Sequence, residues 1–500
     1  MSGGPTKAAV LRSTFSGLGN QYAGTLVTGA GQFVVTAILA RLLTPQDYGL
    51  VGLAAVYIGL AAILANFGIA PALIRQPEIN PRYVRAGFTA TILMGMLTTA
   101  LVWLTAPLAA TGLGNDALTP IIRGLSLTFL LGNPGLVAEG LLQRRLAWRV
   151  LMWVEVIAFV GGYALPAILL AAYGFGPWAL VGSSLGLSLV RAATLLKVQP
   201  HPKWPRIGPE IRELLRFGSG FTLARTFNYG ASQGDNLIVG RVLGIVPLGY
   251  YGRAFKLMTI LVTYFAVVTT RVLFPIMSRL QGDLERLRET YLAGSAVLGL
   301  VSAPIGALMV VLAPEFIGVV LGPRWTPAVL PFQILTAGIM FRNVYMMAYC
   351  LDGAVGAMRT RTLRDGVYAL AVVGGSLIGT RFGLAGVATG VVLAILLNYV
   401  IGAAMSLRML KATWRDYARS QLPAVGLGLL TAAVAAGLRL TLLAGGVRPF
   451  AVLALTTLLS LGLLGGLYLV WPPVIGPYGQ AALRHAGAAI SSRLPRREPA

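Results

Sequence analysis

Runs of about 20 apolar residues recur along the whole of this 500-residue chain, and a helix needs a run of that length to cross the hydrocarbon of a bilayer. In that solvent each backbone N–H and C=O must be paired within the protein, so a segment that crosses alone has to be an α-helix. Only 11% of the residues are charged against 56% hydrophobic, too few charges to cover a soluble surface. The expected fold is all-α: a polytopic helical membrane protein of about 14 transmembrane helices, with no soluble domain of any size between them. The first ten residues lack an apolar core and lead straight into a long span, so no cleavable signal peptide is expected.

Loop charge orients the helices, because cytoplasmic loops carry the excess of Lys and Arg. With the N-terminus in the cytoplasm, 28 of the 40 Lys and Arg fall in cytoplasmic segments. Six lie on the opposite side (Arg41, Arg241, Arg324, Arg381, Arg439 and Arg448), and six lie inside spans. Both termini are therefore expected in the cytoplasm. The same rule accounts for the net charge of +24, so nucleic acid is not an expected partner. The single Cys350 excludes an intrachain disulfide and any multi-cysteine metal site. The two histidines, His201 and His485, fall in predicted cytoplasmic segments, which excludes a histidine relay within the membrane. No cofactor or metal is expected.

A repeat appears at an offset of 200 residues: Arg41-Leu42-Leu43 with Gly49 matches Arg241-Val242-Leu243 with Gly249. The offset pairs Thr28 with Asn228 and Gln32 with Ser232, so two helices carry a polar stripe at one phase. A second match joins Tyr173-Gly174-Phe175-Gly176 to Phe382-Gly383-Leu384-Ala385. The expected organisation is two pseudo-symmetric six-helix lobes, residues 1–196 and 214–410. A basic cytoplasmic linker, 197–213, joins them. Two additional helices (411–471) and a cytoplasmic tail (472–500) follow. Parallel repeats of this kind suit alternating access by rocking of one lobe on the other.

Ionisable side chains inside spans cost about 2.5–3.5 kcal/mol each on the lenient insertion scale, so they are expected to line a wet, functional cavity. The helix before the 241–254 turn carries Arg225, Asn228, Ser232 and Asp235 within an arc of about 80°. The helix after it carries Arg253, Lys256 and Arg271 on a common face. Arg123 and Arg342 complete the intramembrane cations. Two cationic faces suggest a cavity for something anionic. The alternative is snorkelling to the nearer surface, open to Arg123, Arg253, Lys256 and Arg271 but hard for Arg225, roughly eleven residues from the nearer end of its span. Asp235 and Glu155 are the acids well inside spans. Each either binds a coupling ion or pairs with an Arg, for instance Asp235 with Arg241. Thr28 and Gln32 either face sugar or bond neighbouring helices.

The decapeptide Ala40-Arg41-Leu42-Leu43-Thr44-Pro45-Gln46-Asp47-Tyr48-Gly49 resembles the first-turn motif of the Wzx-type polysaccharide transporter family of oligosaccharide flippases, within the multidrug/oligosaccharidyl-lipid/polysaccharide exporter superfamily. Further matches run in order: Phe67-Gly68, Leu142-Gln143-Arg144-Arg145, Gly174 to Leu180, Asp235 to Gly244 with Gly249-Tyr250-Tyr251, and Leu321-Gly322-Pro323-Arg324-Trp325. The resemblance covers about Leu11 to Leu407. It implies a protein of the bacterial inner membrane that flips undecaprenyl-pyrophosphate-linked oligosaccharide for O-antigen, capsule or exopolysaccharide. The partners it implies are that substrate, membrane lipids, and a polysaccharide polymerase and co-polymerase.

The residues agree, since a planar guanidinium donates two hydrogen bonds to phosphate at once. Arg225 and Lys256 are expected at the pyrophosphate, with Arg253, Arg271, Arg123 and Arg342 along the path. Two other readings compete. A related drug exporter for cationic drugs calls for an acidic cavity, against six cations and about two acids here. A membrane glycosyltransferase or polymerase needs a catalytic group on a substantial loop, where only the isolated Asp47, Asp116 and Glu315 stand. A transporter rather than an enzyme is expected.

Overall fold

The computed structural model describes residues 29–66, 68–75, 80–202, 205–269 and 273–481. Among them every regular element is helical, and contacts divide the chain into two units, Met1–Gly249 and Tyr250–Ala500.

The first unit holds α1 (Gly29–Leu42), α2 (Pro45–Asn66), α3 (Ile69–Arg75), α4 (Pro81–Leu113), α5 (Leu118–Gly132), α6 (Leu136–Arg144), α7 (Trp148–Ile157), α8 (Leu165–Ala172), α9 (Pro177–Val198) and α10 (Pro209–Ile238). Four of these helices start on proline, whose missing N–H is an orphan at that position anyway and whose φ already suits a helix. Side chains cap two of the same starts. Asn80 Oδ1 accepts from Tyr83 N at 3.0 Å. Ahead of α2, the Thr44 amide and hydroxyl both donate to Asp47 Oδ2 while Asp47 N donates back to Thr44 Oγ1, a capping box. Asp47 thus has a structural task at the repeat motif.

The second unit holds most of α11 (Ile245–Val268), then α12 (Phe274–Arg279), α13 (Leu284–Val311), α14 (Ala313–Val320), α15 (Val329–Ala337), α16 (Ile339–Val344), α17 (Met346–Val355), α18 (Met358–Gly379), α19 (Gly383–Met409), α20 (Trp414–Ala444) and α21 (Pro449–Val470). Its core gathers Tyr291, Met347, Leu351, Tyr417 and Leu427 among others. Glycines let α18 and α19 touch backbone to backbone. A Cβ on Gly379 or Gly386 would overlap the other's carbonyl oxygen, and Gly375 faces Gly390 one turn on. Small residues are what allow helices to approach this closely in lipid. The turn between them needs Gly383 at φ 66°.

Among the described residues, nine helical stretches are long and apolar enough to cross a membrane, and a bent pair makes a tenth. The residue 358–409 stretch, counted once, contains both α18 and α19. The protein is thus an all-α, multi-pass membrane protein. The division between units falls at Gly249, so α10 packs with the first unit, on α2, α3 and α4.

The 200-residue repeat has a direct physical counterpart inside the first unit. A Cβ on Gly49 would overlap the carbonyl oxygen of Ile245, and a Cβ on Gly249 would overlap that of Pro45. Residues 45 and 245, and 49 and 249, are repeat mates, so the starts of α2 and α11 cross in a self-complementary contact.

Candidate functional site

α10 carries the polar stripe read from the sequence, and Tyr229 fixes how the helix lies. Its hydroxyl donates to the backbone carbonyls of Ala55 and Val56 on α2, at 3.3 and 3.0 Å. Tyr229 stands only about 40° round the helix from Arg225, so this anchor sits at the edge of the stripe. The side chains of Arg225 and Asn228 lie outside those described, as do Thr28 and Arg271. Gln32 is exposed on α1. Ser232 is exposed, with its hydroxyl donating to the carbonyl of Tyr229 on its own helix at 3.0 Å. Asp235 is buried, and its Oδ1 accepts from the next amide at 2.8 Å. Arg241 is exposed.

In the second unit Arg253 is half-buried and Lys256 exposed, one turn apart on α11. Arg342 joins them from α16. Its guanidinium carbon stands 5.4 Å from the centroid of the Phe255 ring, a cation–π distance, and its Nη1 is buried with no hydrogen-bond partner among the described residues. Arg342 sits in a broken span: helix interruptions at Gly338 and Tyr345 separate α15, α16 and α17, and the span bends by 47°. Interrupted helices at membrane depth are tolerated where they are buried in protein or line a cavity. Neither α11 nor α16 contains an acidic residue, so three cations gather on two neighbouring elements with no acid on either.

Arg123 is differently engaged. Its Nε donates to the carbonyl of Trp103 at 3.3 Å, and its guanidinium lies 5.5 Å from that indole. It ties α5 to α4.

Glu155 takes the paired alternative. Arg191 on α9 bridges it at 2.7 Å and Glu139 on α6 at 3.0 Å, and Gln143 donates to Glu139 at 3.1 Å. The triad fastens α6, α7 and α9 together and leaves one carboxylate in excess of one guanidinium. Glu315 is likewise not isolated: Arg439 on α20 donates to it at 2.8 Å.

The most buried ion pair was not legible as such in the sequence. Asp352 on α17 and Arg364 on α18 meet at 2.9 Å with side chains 1% and 2% exposed. Both fall at the edge of a predicted cytoplasmic loop, where charges are unremarkable. The one available signal is their placement on either side of the Gly356 turn, which folds α18 back beside α17. Beside them, Arg361 and Arg364 both lie over the ring of Tyr349, at 4.7 and 4.5 Å, and the Tyr349 hydroxyl donates to Asp365.

No group of three or more His, Cys, Asp or Glu that could hold a metal occurs among the described residues.

Residues 38–330 match the model of a family described as polysaccharide biosynthesis protein. The chain is 27% identical over 324 residues to the lipopolysaccharide biosynthesis protein WzxC of Escherichia coli (strain K12), covering 64% of this chain and 65% of the relative. It is 28% identical over 313 residues to the succinoglycan biosynthesis transport protein ExoT of Rhizobium meliloti (strain 1021), covering 62% and 63%. These matches span under two thirds of each relative's own length. In fold it is similar to the lipid II flippase MurJ in its inward closed conformation, with a TM-score of 0.68 at 12% identity over 90% of this chain and 98% of that one. It is also similar to an inward-facing multidrug resistance MATE family transporter of the MOP superfamily, with a TM-score of 0.62 at 14% identity over 79% and 99%. The family model spans more than half of the chain, so this protein belongs to the polysaccharide biosynthesis protein family.

Proposed function

We propose that this protein is a flippase that moves undecaprenyl-pyrophosphate-linked oligosaccharide from the cytoplasmic to the periplasmic leaflet of the bacterial inner membrane by alternating access. The observation that carries the reading is the gathering of Arg253, Lys256 and Arg342 on α11 and α16, neither of which carries an acidic residue. A lipid-linked sugar presents an anionic head that needs a wet cationic path, and its tail stays in lipid. Arg225 extends the path on α10, with Asn228, Ser232, Gln32 and Thr28 offering hydrogen bonds to the glycan. Arg271 belongs to the same path by helix phase. Arg123, committed to Trp103, has the weakest claim. Asp235 and the Glu155–Arg191–Glu139 triad are the candidates for ion coupling. A polymerase and co-polymerase would act on the delivered repeat unit. A drug-exporter reading fits the fold and not the sign of the charges.

The site test uses Arg225→Ala combined with Lys256→Ala. A charge-assisted bond contributes about 1.5–3 kcal/mol, so losing two should lower glycan export by roughly tenfold or more, with the protein still inserted. Normal export by the stably expressed double variant would remove these residues from the path. Deleting the gene separates the functions. A flippase leaves lipid-linked sugar trapped in the cytoplasmic leaflet. A drug exporter leaves its distribution unchanged, and a polymerase leaves single repeat units on the far side.

The orientation has its own test. Fourteen crossings with both ends in the cytoplasm require reporter fusions after Arg206 and Arg415 to read cytoplasmic, and fusions after Pro177 and Arg324 periplasmic. A periplasmic signal at Arg415 would overturn the scheme.

A further inference from the structure

We infer that the turn joining α19 to α20 binds the headgroup of an anionic phospholipid. The inference stands apart from the flippase reading and holds whatever the protein carries. Four cations fall within twelve residues there: Arg408 in the last turn of α19, Lys411 in the connection, and Arg415 and Arg419 in the first turns of α20. All four are exposed.

Helix phase puts three of these cations at the ends of apolar stripes. On α19, Leu393, Leu397, Val400 and Arg408 lie within an arc of about 80°, and all are exposed. On α20, Arg415, Arg419, Leu422 and Leu429 lie within an arc of the same width, and all are exposed. An exposed apolar stripe on a membrane helix faces lipid tails, so the cations that continue it stand at headgroup depth. Past the turn the two helices part. α19 packs on α15, α16, α17 and α18, whereas α20 packs on α13 and α21. Two separate lipid-facing stripes thus end at one basic turn.

The turn strains its lysine. Lys411 holds φ 49°, a left-handed conformation that a side chain disfavours and glycine adopts freely. Strain of this kind is kept where it serves a function. Charge that only orients a helix needs neither a strained lysine nor two stripes meeting at it. Asp416 is the one acid between residues 402 and 422, and it is already committed. Its Oδ2 accepts from the Thr413 amide and hydroxyl at 3.2 and 2.7 Å, and from Arg288 of α13 at 2.6 Å. The patch therefore keeps an excess of positive charge. Trp414 stands exposed among the cations, edge-on to Tyr417 at 6.1 Å, and indoles are enriched at headgroup level. Basic clusters beside a membrane attract anionic lipid. A phosphodiester suits the guanidinium forks, and its acyl chains suit the stripes. A free phosphate would use the forks alone.

The test is native mass spectrometry of the full-length protein in detergent, titrated with phosphatidylglycerol or phosphatidylcholine of matched chains. The expected result is a preference for phosphatidylglycerol. It should fall about tenfold or more in the combined Arg408→Gln, Lys411→Gln, Arg415→Gln and Arg419→Gln variant, since each cation beside an anionic surface is worth about fivefold. Arg359→Gln with Arg381→Gln, two exposed cations elsewhere on the second unit, should leave it unchanged. Lys411→Gly separates binding from folding. It should weaken phosphatidylglycerol binding by about fivefold while the unfolding temperature holds or rises, because glycine accepts φ 49° without strain. Glycerol 1-phosphate at the lipid's concentration should displace none of it. Equal affinity for the two lipids, an undiminished preference in the fourfold variant or in Lys411→Gly, or the same loss in the control pair would overturn the proposal. Displacement by glycerol 1-phosphate would overturn the lipid as the occupant.

Discussion

Asp352→Ala should destabilise the folded protein by about 3–5 kcal/mol, because it strands a buried guanidinium without its counter-charge. Arg364 has no route to water. Its side chain is 2% exposed, it lies over Tyr349 on one side, and a Cβ on Gly402 of α19 would stand 3.3 Å from its Nη1. The pair therefore joins three elements: α17 carries Asp352, α18 carries Arg364, and α19 presses on the guanidinium. The loss should appear as a lower unfolding temperature in detergent and as reduced protein in the membrane. Asp352→Leu combined with Arg364→Met should recover much of it, since replacing a buried pair by apolar groups of similar volume is often neutral or better. A single variant as stable as the wild type would mean that the guanidinium finds another partner. A double variant no better than the single would mean that packing, not charge, is what was lost.

The second large effect is expected at the crossing of the repeat motifs. Gly49→Val or Gly249→Val drives a side chain into a backbone carbonyl, Ile245 or Pro45 respectively, and a backbone atom cannot rotate away as a side chain can. Overpacking of this sort costs typically 1–3 kcal/mol and occasionally more. Here it forces apart two helix starts that also hold the Thr44–Asp47 cap. Either substitution should cut the level of folded, exporting protein to a small fraction. The control is Gly52→Ala on the same helix, whose new Cβ would meet Leu248 at an ordinary 3.9 Å. It should stay within about 0.5 kcal/mol of wild type. Equal tolerance at Gly49 and Gly52 would show that the crossing is loose, and the repeat would then lose its physical basis.

The sequence by itself determined what depends on solvent and on period. Twenty-residue apolar runs require helices because lipid offers the backbone no other hydrogen-bond partners, and every regular element among the described residues is helical. The repeat was legible because the crossing at residues 45–49 and 245–249 needs the same glycine twice at the same distance from the helix start. The intramembrane cations were legible as exceptions in an apolar setting. What the sequence left undecided was which of them are engaged. Arg123 is held by Trp103, Arg342 by Phe255, and Glu155 by an Arg191 that reads as one more loop charge.

Only the tertiary structure decided these pairings. A side chain's partner is set by which helices pack together and at what height, and the partners are far apart in sequence. Glu155 and Arg191 are brought together by the packing of α7 and α9. Asp352 and Arg364 are brought together by a turn at Gly356. Composition and periodicity fix the helices and the faces they can present. The long-range contacts that convert a charge into a bolt, a path or a pocket depend on how those faces pack.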